Sequence, residues 1–368
     1  MVGDPAQTTL SSDGRLRLHN TMTDEIKEQS LKLLTEFVVD DKQAFNVVEK
    51  ESFRVFCQSL NKFYPVPSRQ TLTRSMQDLY VEARVKFAQI LENVPGRVAL
   101  TLDGWSSRVM RGYLVVTAHW IDTTDSWKLR SCVLDFVYFP SPHNTGSTSD
   151  LLLKILEDWS LHTRVRAATT DSGSEMAPAM IRVRQILIDR YRSKLEEDWH
   201  MRCICHIMNR AVTDAEQAVK KVVDKIRGML KTLRVSASMR QEFDKIQVRL
   251  GWTSKKEVPS LDVDNRWNSM FDMVNACYSL RDVFESLGNH PDFSSRISTL
   301  TSIEWKTIKS VVDFLQVMKK FTTAASGSGY PTLSMQPCIF DSLMAHWDDT
   351  ISACLQTGKC FSEYLHLS

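Results

Sequence analysis

The chain has 368 residues, 43% of them hydrophobic, which is enough for one large domain or two to three smaller ones and too apolar for disorder beyond the ends. Lys and Arg number 46 against 44 Asp and Glu, so the formal charge of +2 excludes a polycation that coats nucleic acid indiscriminately; any such binding must use local patches. Eight scattered cysteines, a start without the apolar core of a signal peptide, and no apolar run near the roughly 20 residues of a membrane span point to a reduced, intracellular, non-membrane protein.

Residues 1–20 are polar and read as a flexible leader. From Thr23 a helical period begins, with Thr23 as N-cap and Ile26, Leu31, Leu34 and Phe37 recurring at three-to-four-residue steps. A second helix is expected over Glu49 to Leu60. A third, capped by Ser68 after Pro65 and Pro67, is expected over Gln70 to Glu92. Residues 21–95 thus form a small helical domain.

After Pro95 and Gly96 the period becomes that of strands. Arg97 to Leu102, Gly112 to Ile121 and Lys128 to Phe139 are three candidates joined by short polar connections, as in an antiparallel meander. A helix bearing Leu152, Ile155, Leu156 and Trp159 follows, with its cap sought among Ser147 to Ser149, and then a strand ending at Asp171. A crossover of that length favours parallel pairing, which makes the sheet mixed. A helix over Glu175 to Leu195, a fifth strand over Met201 to Ile207 and a helical region over Met208 to Val235 complete the series. The order is that of an α/β, ribonuclease H-like fold, a mixed sheet flanked by helices over 96–290; over 291–368, Glu304-Trp305 and Tyr330-Pro331-Thr332-Leu333-Ser334 resemble the start of an all-α insertion.

Two stretches carry the chemistry. Val98 to Leu102 runs into Asp103 and Gly104, and Val165 to Thr170 runs into Asp171, Ser172 and Gly173. Each places a carboxylate at the end of an apolar strand, where Gly104 is expected to turn the backbone. In this fold the first and fourth strands are neighbours, and two adjacent carboxylates call for a divalent cation or one raised pKa. Taken singly, either aspartate would as readily be a turn or helix cap. His200, Cys203, Cys205 and His206 form a dense group, but adjacent strand residues point to opposite faces, which weighs against zinc. From Arg210 to Lys256, twelve Lys or Arg stand against five Asp or Glu, a candidate phosphate-binding surface whose plainer reading is a solvated helix face.

With these elements in place the chain resembles the hAT superfamily of DNA transposases from about residue 25 to 345. The likeness rests on Leu102-Asp103-Gly104-Trp105-Ser106-Ser107, on Thr170-Asp171-Ser172-Gly173-Ser174-Glu175-Met176, on Cys203 and His206 three apart, and on Arg266-Trp267-Asn268-Ser269. The resemblance implies a cut-and-paste mechanism in which three carboxylates hold two Mg²⁺ (or Mn²⁺) ions, with Asp103 and Asp171 matching the first two. It also implies DNA contacts from Cys203, His206, Arg266 and Trp267, with Trp267 near the same sheet edge and stacking on a displaced base. The partners it implies are transposon ends or a flanking DNA hairpin, with a second copy of the chain as a further candidate, and the compartment is the nucleus. Neither Glu304 nor Glu363 matches the third carboxylate, and no Cys and His spacing fits the zinc finger many relatives carry. The expected function is therefore a transposase-derived nuclear DNA-binding protein, catalytically incomplete; the alternative is an active cut-and-paste transposase.

Overall fold

The computed structural model describes residues 8–10, 16–18, 22–263 and 267–357. The chain divides into two compact units, Met1–Val94 and Pro95–Ser368.

In the first unit, strands β1 (Thr8–Leu10) and β2 (Leu16–Leu18) pair antiparallel inside the stretch read as a leader, the rest of which lies outside the described residues. Helix α1 (Asp24–Asp40) starts where Thr23 accepts the backbone N–H of Ile26, with Asp24 and Glu25 in the first turn, where the helix dipole favours negative charge. Helix α2 covers Glu51–Leu60, and α3 covers Arg69–Asn93, its Ser68 cap accepting from Thr71. Val38, Val48 and Leu72 form the small core of this unit.

The second unit is built on a five-stranded sheet: β3 (Val98–Ser106), β4 (Gly112–Asp122), β5 (Lys128–Tyr138), β6 (Val165–Thr170) and β7 (His200–Arg202). Their spatial order is β5-β4-β3-β6-β7, with β3, β4 and β5 antiparallel and β6 and β7 parallel to β3. Helix α4 (Thr145–Asp158) makes the crossover into β6, and it packs against α5 (Met176–Tyr191), which leads into β7. The cap of α4 is Asn144, in a reciprocal capping box with Ser147, one turn earlier than the sequence suggested. This is the α/β, ribonuclease H-like mixed sheet flanked by helices that the pattern of elements called for.

Strand alternation sorts the sheet into two faces. Val98, Leu100 and Leu102 of β3 and Leu114, Val116, Ala118 and Trp120 of β4 are buried on one face. Thr101, Asp103 and Trp105 alternate with them and so lie on the other. Parallel pairing of β3 with β6 ends at Leu102 and Thr170, whereas antiparallel pairing with β4 continues to Ser106 and Gly112. Asp103 therefore lies inside a strand and Gly104 does not turn the chain. Pairing with Leu114 holds Gly104 extended, and only the β6 side of β3 opens at this point.

The stretch Met201 to Ile207 is not one strand. Extended pairing stops at Arg202, and α6 (Ile204–Val235) begins almost at once, with Cys203 as its cap residue. Helices α7 (Ala237–Arg249), α8 (Trp267–Ser279), α9 (Arg281–Gly288), α10 (Ser302–Ala325) and α11 (Gln336–Thr357) follow. One apolar core joins Ile204 and Met208 of α6 to Trp267, Phe271, Trp305, Leu315 and Leu343. The long α6 is fastened along its length. Lys225 pairs with Glu304 at 2.8 Å, and Arg227 pairs with Asp262 at 2.6 Å. No helix among the described residues is long and apolar enough to cross a membrane.

Candidate active site at the end of the parallel strands

Asp103 and Asp171 are the next residues after the last parallel pair, Leu102 and Thr170, so they emerge side by side from strands about 4.8 Å apart. β7 brings the next participant, because the backbone N–H of Cys203 donates to the Thr170 carbonyl at 2.7 Å. From Cys203 the chain enters the first turn of α6, which carries Cys205 and His206. These two are helical neighbours rather than alternating strand residues, so the opposite-face reasoning applied to them from sequence does not hold. The start of the helix turns both back toward Cys203.

The charges of the cluster are coupled. Burial is the main influence holding the Asp103 carboxyl above its ordinary range; His206 opposes the rise, and the negative charges of Asp171 and Cys203 reinforce it. The Cys203 thiol is pulled down by a hydrogen bond from the Cys205 thiol, against burial, and further by His206 and the backbone N–H groups of the first helical turn. His206 is raised by its hydrogen bond to Cys203, opposed by burial, and then by the negative charges of Cys203, Asp171 and Asp103. Cys205 is raised as the donor to Cys203, and its sulfur also lies 3.6 Å from Ser326 Oγ. The result is a thiolate-leaning Cys203 and an imidazolium-leaning His206 beside two carboxylates.

The loop after β6 adds a group the sequence reading passed over. The Gly173 N–H donates to Asp171 Oδ1 at 3.0 Å, and a Cβ built on Gly173 would stand 3.2 Å from Asp171 Oδ1 and 3.0 Å from Glu175 Oε1. Asp171 and Glu175 thus flank the same glycine, and any side chain there would crowd both carboxylates. The signal was present in the five-residue run Asp-Ser-Gly-Ser-Glu. Four residues of separation in an irregular loop, however, carry no fixed direction, unlike the same spacing on a helix. His200, also part of the dense His and Cys group, bonds Thr170 Oγ1 at 2.9 Å instead of joining the cluster.

The other motif residues fare differently. Trp267 is 4% exposed, packed in the helical core at the start of α8. Its ring is covered by the helical core in this structure, where the resemblance implied a ring presented at the sheet edge. Arg266 lies outside the described residues, as does Glu363. Glu304 is far from idle: it closes a capping box with Thr301 at the start of α10 and pairs with Lys225. In the basic stretch, Lys225 and Arg227 pair with Glu304 and Asp262 from outside it, which removes part of its local excess, while Lys245 and Arg249 pair with Glu242 within it.

A mixed sheet with an antiparallel meander, a parallel continuation and two aspartates emerging from its first and fourth strands defines a ribonuclease H-like core. Comparison with known proteins agrees: residues 101–198 match the ZBED1 RNase-like domain and residues 201–314 match the ZBED1 RNase-like helical domain. The chain is 28% identical over 309 residues to a protein named as an AC transposase in Zea mays, covering 83% of this chain and 38% of that one. It is 29% identical over 247 residues to one named as an AC9 transposase in the same species, covering 67% of this chain and 29% of that one. With the zinc finger BED domain-containing protein RICESLEEPER 2 of Oryza sativa it shares 22% identity over 311 residues, 84% of this chain and 42% of the other. The chain belongs to the hAT family of transposases and transposase-derived proteins. It spans roughly 29–42% of the length of these relatives.

Proposed function

We infer that this chain is a hAT-type, transposase-derived protein that binds DNA in the nucleus through its ribonuclease H-like core and that, as these 368 residues, it neither cuts nor joins DNA. The observation that carries the reading is the emergence of Asp103 and Asp171 side by side beside the Cys203–His206 pair.

Asp103 and Asp171 offer two carboxylates to a divalent cation, while no group of three or more His, Cys, Asp or Glu among the described residues is arranged to hold one. Two carboxylates meet where one of them is already held above its ordinary range by burial and by the other's charge, and a cation relieves both. Asp103 and Asp171 would hold Mg²⁺ or Mn²⁺, which when bound supplies charge neutralisation at the attacking and leaving oxygens of a phosphodiester. His206, whose imidazole is held above its ordinary range by its hydrogen bond to Cys203, offers a phosphate oxygen a hydrogen-bond donor, and the N-terminal turn of α6 adds backbone dipoles that favour an anion. What this chain does not bring to the cluster is Glu304, the late glutamate among the described residues, because Lys225 and the α10 cap already occupy it. Binding without turnover is the outcome expected of a site that attracts phosphate and metal while Glu304 is engaged elsewhere.

Glu175 favours a second reading, the active cut-and-paste transposase, since its carboxylate already stands beside Asp171 across Gly173. Incubation of the purified chain with terminal-repeat DNA of the hAT type and Mg²⁺ or Mn²⁺ separates the two. Salt-sensitive binding without nicking is expected. Metal-dependent nicking that disappears in Asp103→Asn, Asp171→Asn and Glu175→Gln would establish the active reading instead.

A further inference from the structure

On the sheet face that carries Asp103, four aromatic rings from three strands touch one another. Trp105 follows Asp103 by two residues on β3 and so shares its face. Cross-strand pairing sets Tyr113 of β4 opposite Trp105, Tyr138 of β5 opposite Tyr113, and Phe136 opposite Val115. Ring centroids are 6.0 Å apart for Trp105 and Tyr113, 5.5 Å for Trp105 and Phe136, 5.4 Å for Tyr113 and Phe136, and 5.8 Å for Tyr113 and Tyr138. Trp105 is 41% exposed, Phe136 56% and Tyr138 55%.

Exposed aromatics on one face are costly to leave in water, and their neighbours indicate what covers them. The hairpin that follows Trp105, Ser107 to Arg111, brings the exposed cations Arg108 and Arg111 to the same end of the sheet, and no Asp or Glu occurs between Gly104 and Ile121. The hairpin at the opposite end of the meander is the reverse case: there Lys128 and Arg130 are paired with Asp125. Asp135 on β5 alternates with Phe136 and Tyr138 and so belongs to the other face, which leaves Asp103, two residues before Trp105, as the acid on the face of the rings. Aromatic faces with unmatched positive charge suit a ligand of flat apolar rings on an anionic backbone. A second copy of the chain suits them less well. Rings of roughly 150–250 Å² each, three of them about half exposed and Tyr113 less so, offer roughly 250–450 Å², below the ~800 Å² per partner of a stable interface.

We propose that Trp105, Tyr113, Phe136 and Tyr138 form a stacking platform for unpaired nucleotides, with Arg108 and Arg111 holding the phosphates, so that single-stranded DNA lies across the sheet face toward Asp103. The proposal rests on the DNA-binding reading above and specifies which strand form the site takes and where.

The test is fluorescence anisotropy of a labelled oligothymidine and of a labelled duplex with the full chain. Trp105→Leu keeps the apolar bulk and removes the larger π-face, so it should weaken oligothymidine binding roughly five- to a hundredfold, the loss of one stacked base. Trp105→Phe should restore most of it. Arg108→Gln with Arg111→Gln should weaken both probes and flatten the salt dependence. The thermal midpoint should stay unchanged in Trp105→Leu, since the ring is not core; if it falls, Phe136→Leu with Tyr138→Leu serves instead. Oligothymidine binding unaltered by both sets overturns the proposal, as does an equal loss on duplex and oligothymidine, or a dimer in sedimentation that dissociates in Trp105→Leu. If the wild-type chain binds duplex but not oligothymidine, the platform falls and the proposed function stands; if it binds neither, both fall.

Discussion

Two tryptophans belong to family motifs in this chain, and the fold gives them opposite surroundings. Trp105, at the end of β3, stands in the open among other rings two residues from Asp103. Trp267, at the start of α8, is closed into a core of helices with Phe271 and Trp305. On sequence alone Trp267 looked like the ring that meets DNA, and Trp105 passed as part of the acidic motif. Exposure, which no motif encodes, leaves the ring of Trp105 open and that of Trp267 covered.

The largest effect expected from that contrast is at Trp267. Trp267→Ala removes a fully buried ring and should destabilise the chain by about 3–5 kcal/mol in denaturant unfolding, with loss of DNA binding that merely tracks unfolding. A folded, fully stable Trp267→Ala protein that has lost binding to hairpin DNA alone would break the comparison and return the ring to the DNA.

A smaller effect tests whether Glu304 belongs to the helices and not to the acidic site. Burial alone would lift its carboxyl, but hydrogen bonds from Lys225 and Thr301 outweigh that and hold it below its ordinary value of 4.5. A carboxylate depressed in the folded state contributes stability that is present above the unfolded value and is lost as pH falls through the folded one. Glu304→Gln should therefore cost roughly 1–2 kcal/mol at neutral pH, and the gap to wild type should shrink as the pH drops below about 4.5. A gap independent of pH between neutrality and acid would show that the charge of Glu304 plays no part.

The smallest effect is at Asp103, and its sign sharpens the contrast. A raised carboxyl costs the folded state stability at neutral pH, and the cost fades as pH falls and the group is protonated. Because Asp103 is partly exposed, water reduces that cost to a few tenths of a kcal/mol. Asp103→Asn should be neutral or slightly stabilising without metal, yet it should abolish any rise in thermal midpoint that Mn²⁺ gives the wild type. A marked loss of stability without metal would mean that the carboxylate is a structural partner.

The sheet was legible because its information is local. Val98 to Leu102 and Gly112 to Ile121 alternate, Ser68 caps α3 within one residue of its expected start, and the crossover length dictates parallel pairing of β3 with β6. Even the adjacency of Asp103 and Asp171 follows from strand order. The Cys203–His206 turn was misread because Met201 to Ile207 is short and mostly apolar, broken only by Arg202 and His206, and such a run has no period that separates strand from helix. The ring cluster was hidden for another reason. Trp105, Tyr113, Phe136 and Tyr138 meet only once the β3–β4–β5 register is known, and a bulge between Val116 and Thr117 shifts that register beyond what alternation alone can follow.

Helix α6 has a mechanical consequence. At about 1.5 Å per residue its 32 residues span roughly 48 Å, and Lys225 lies about 32 Å along the axis from Ile204. Cys203 and His206 ride at one tip of this rod while Glu304 and Asp262 grip it well down the shaft. A pivot of ~3° at the grip would swing the tip by ~1.7 Å over that lever arm, more than half the length of a hydrogen bond. Ile204 and Met208, buried in the helical core at that tip, oppose such a swing, so the rod is held both at its shaft and beside His206.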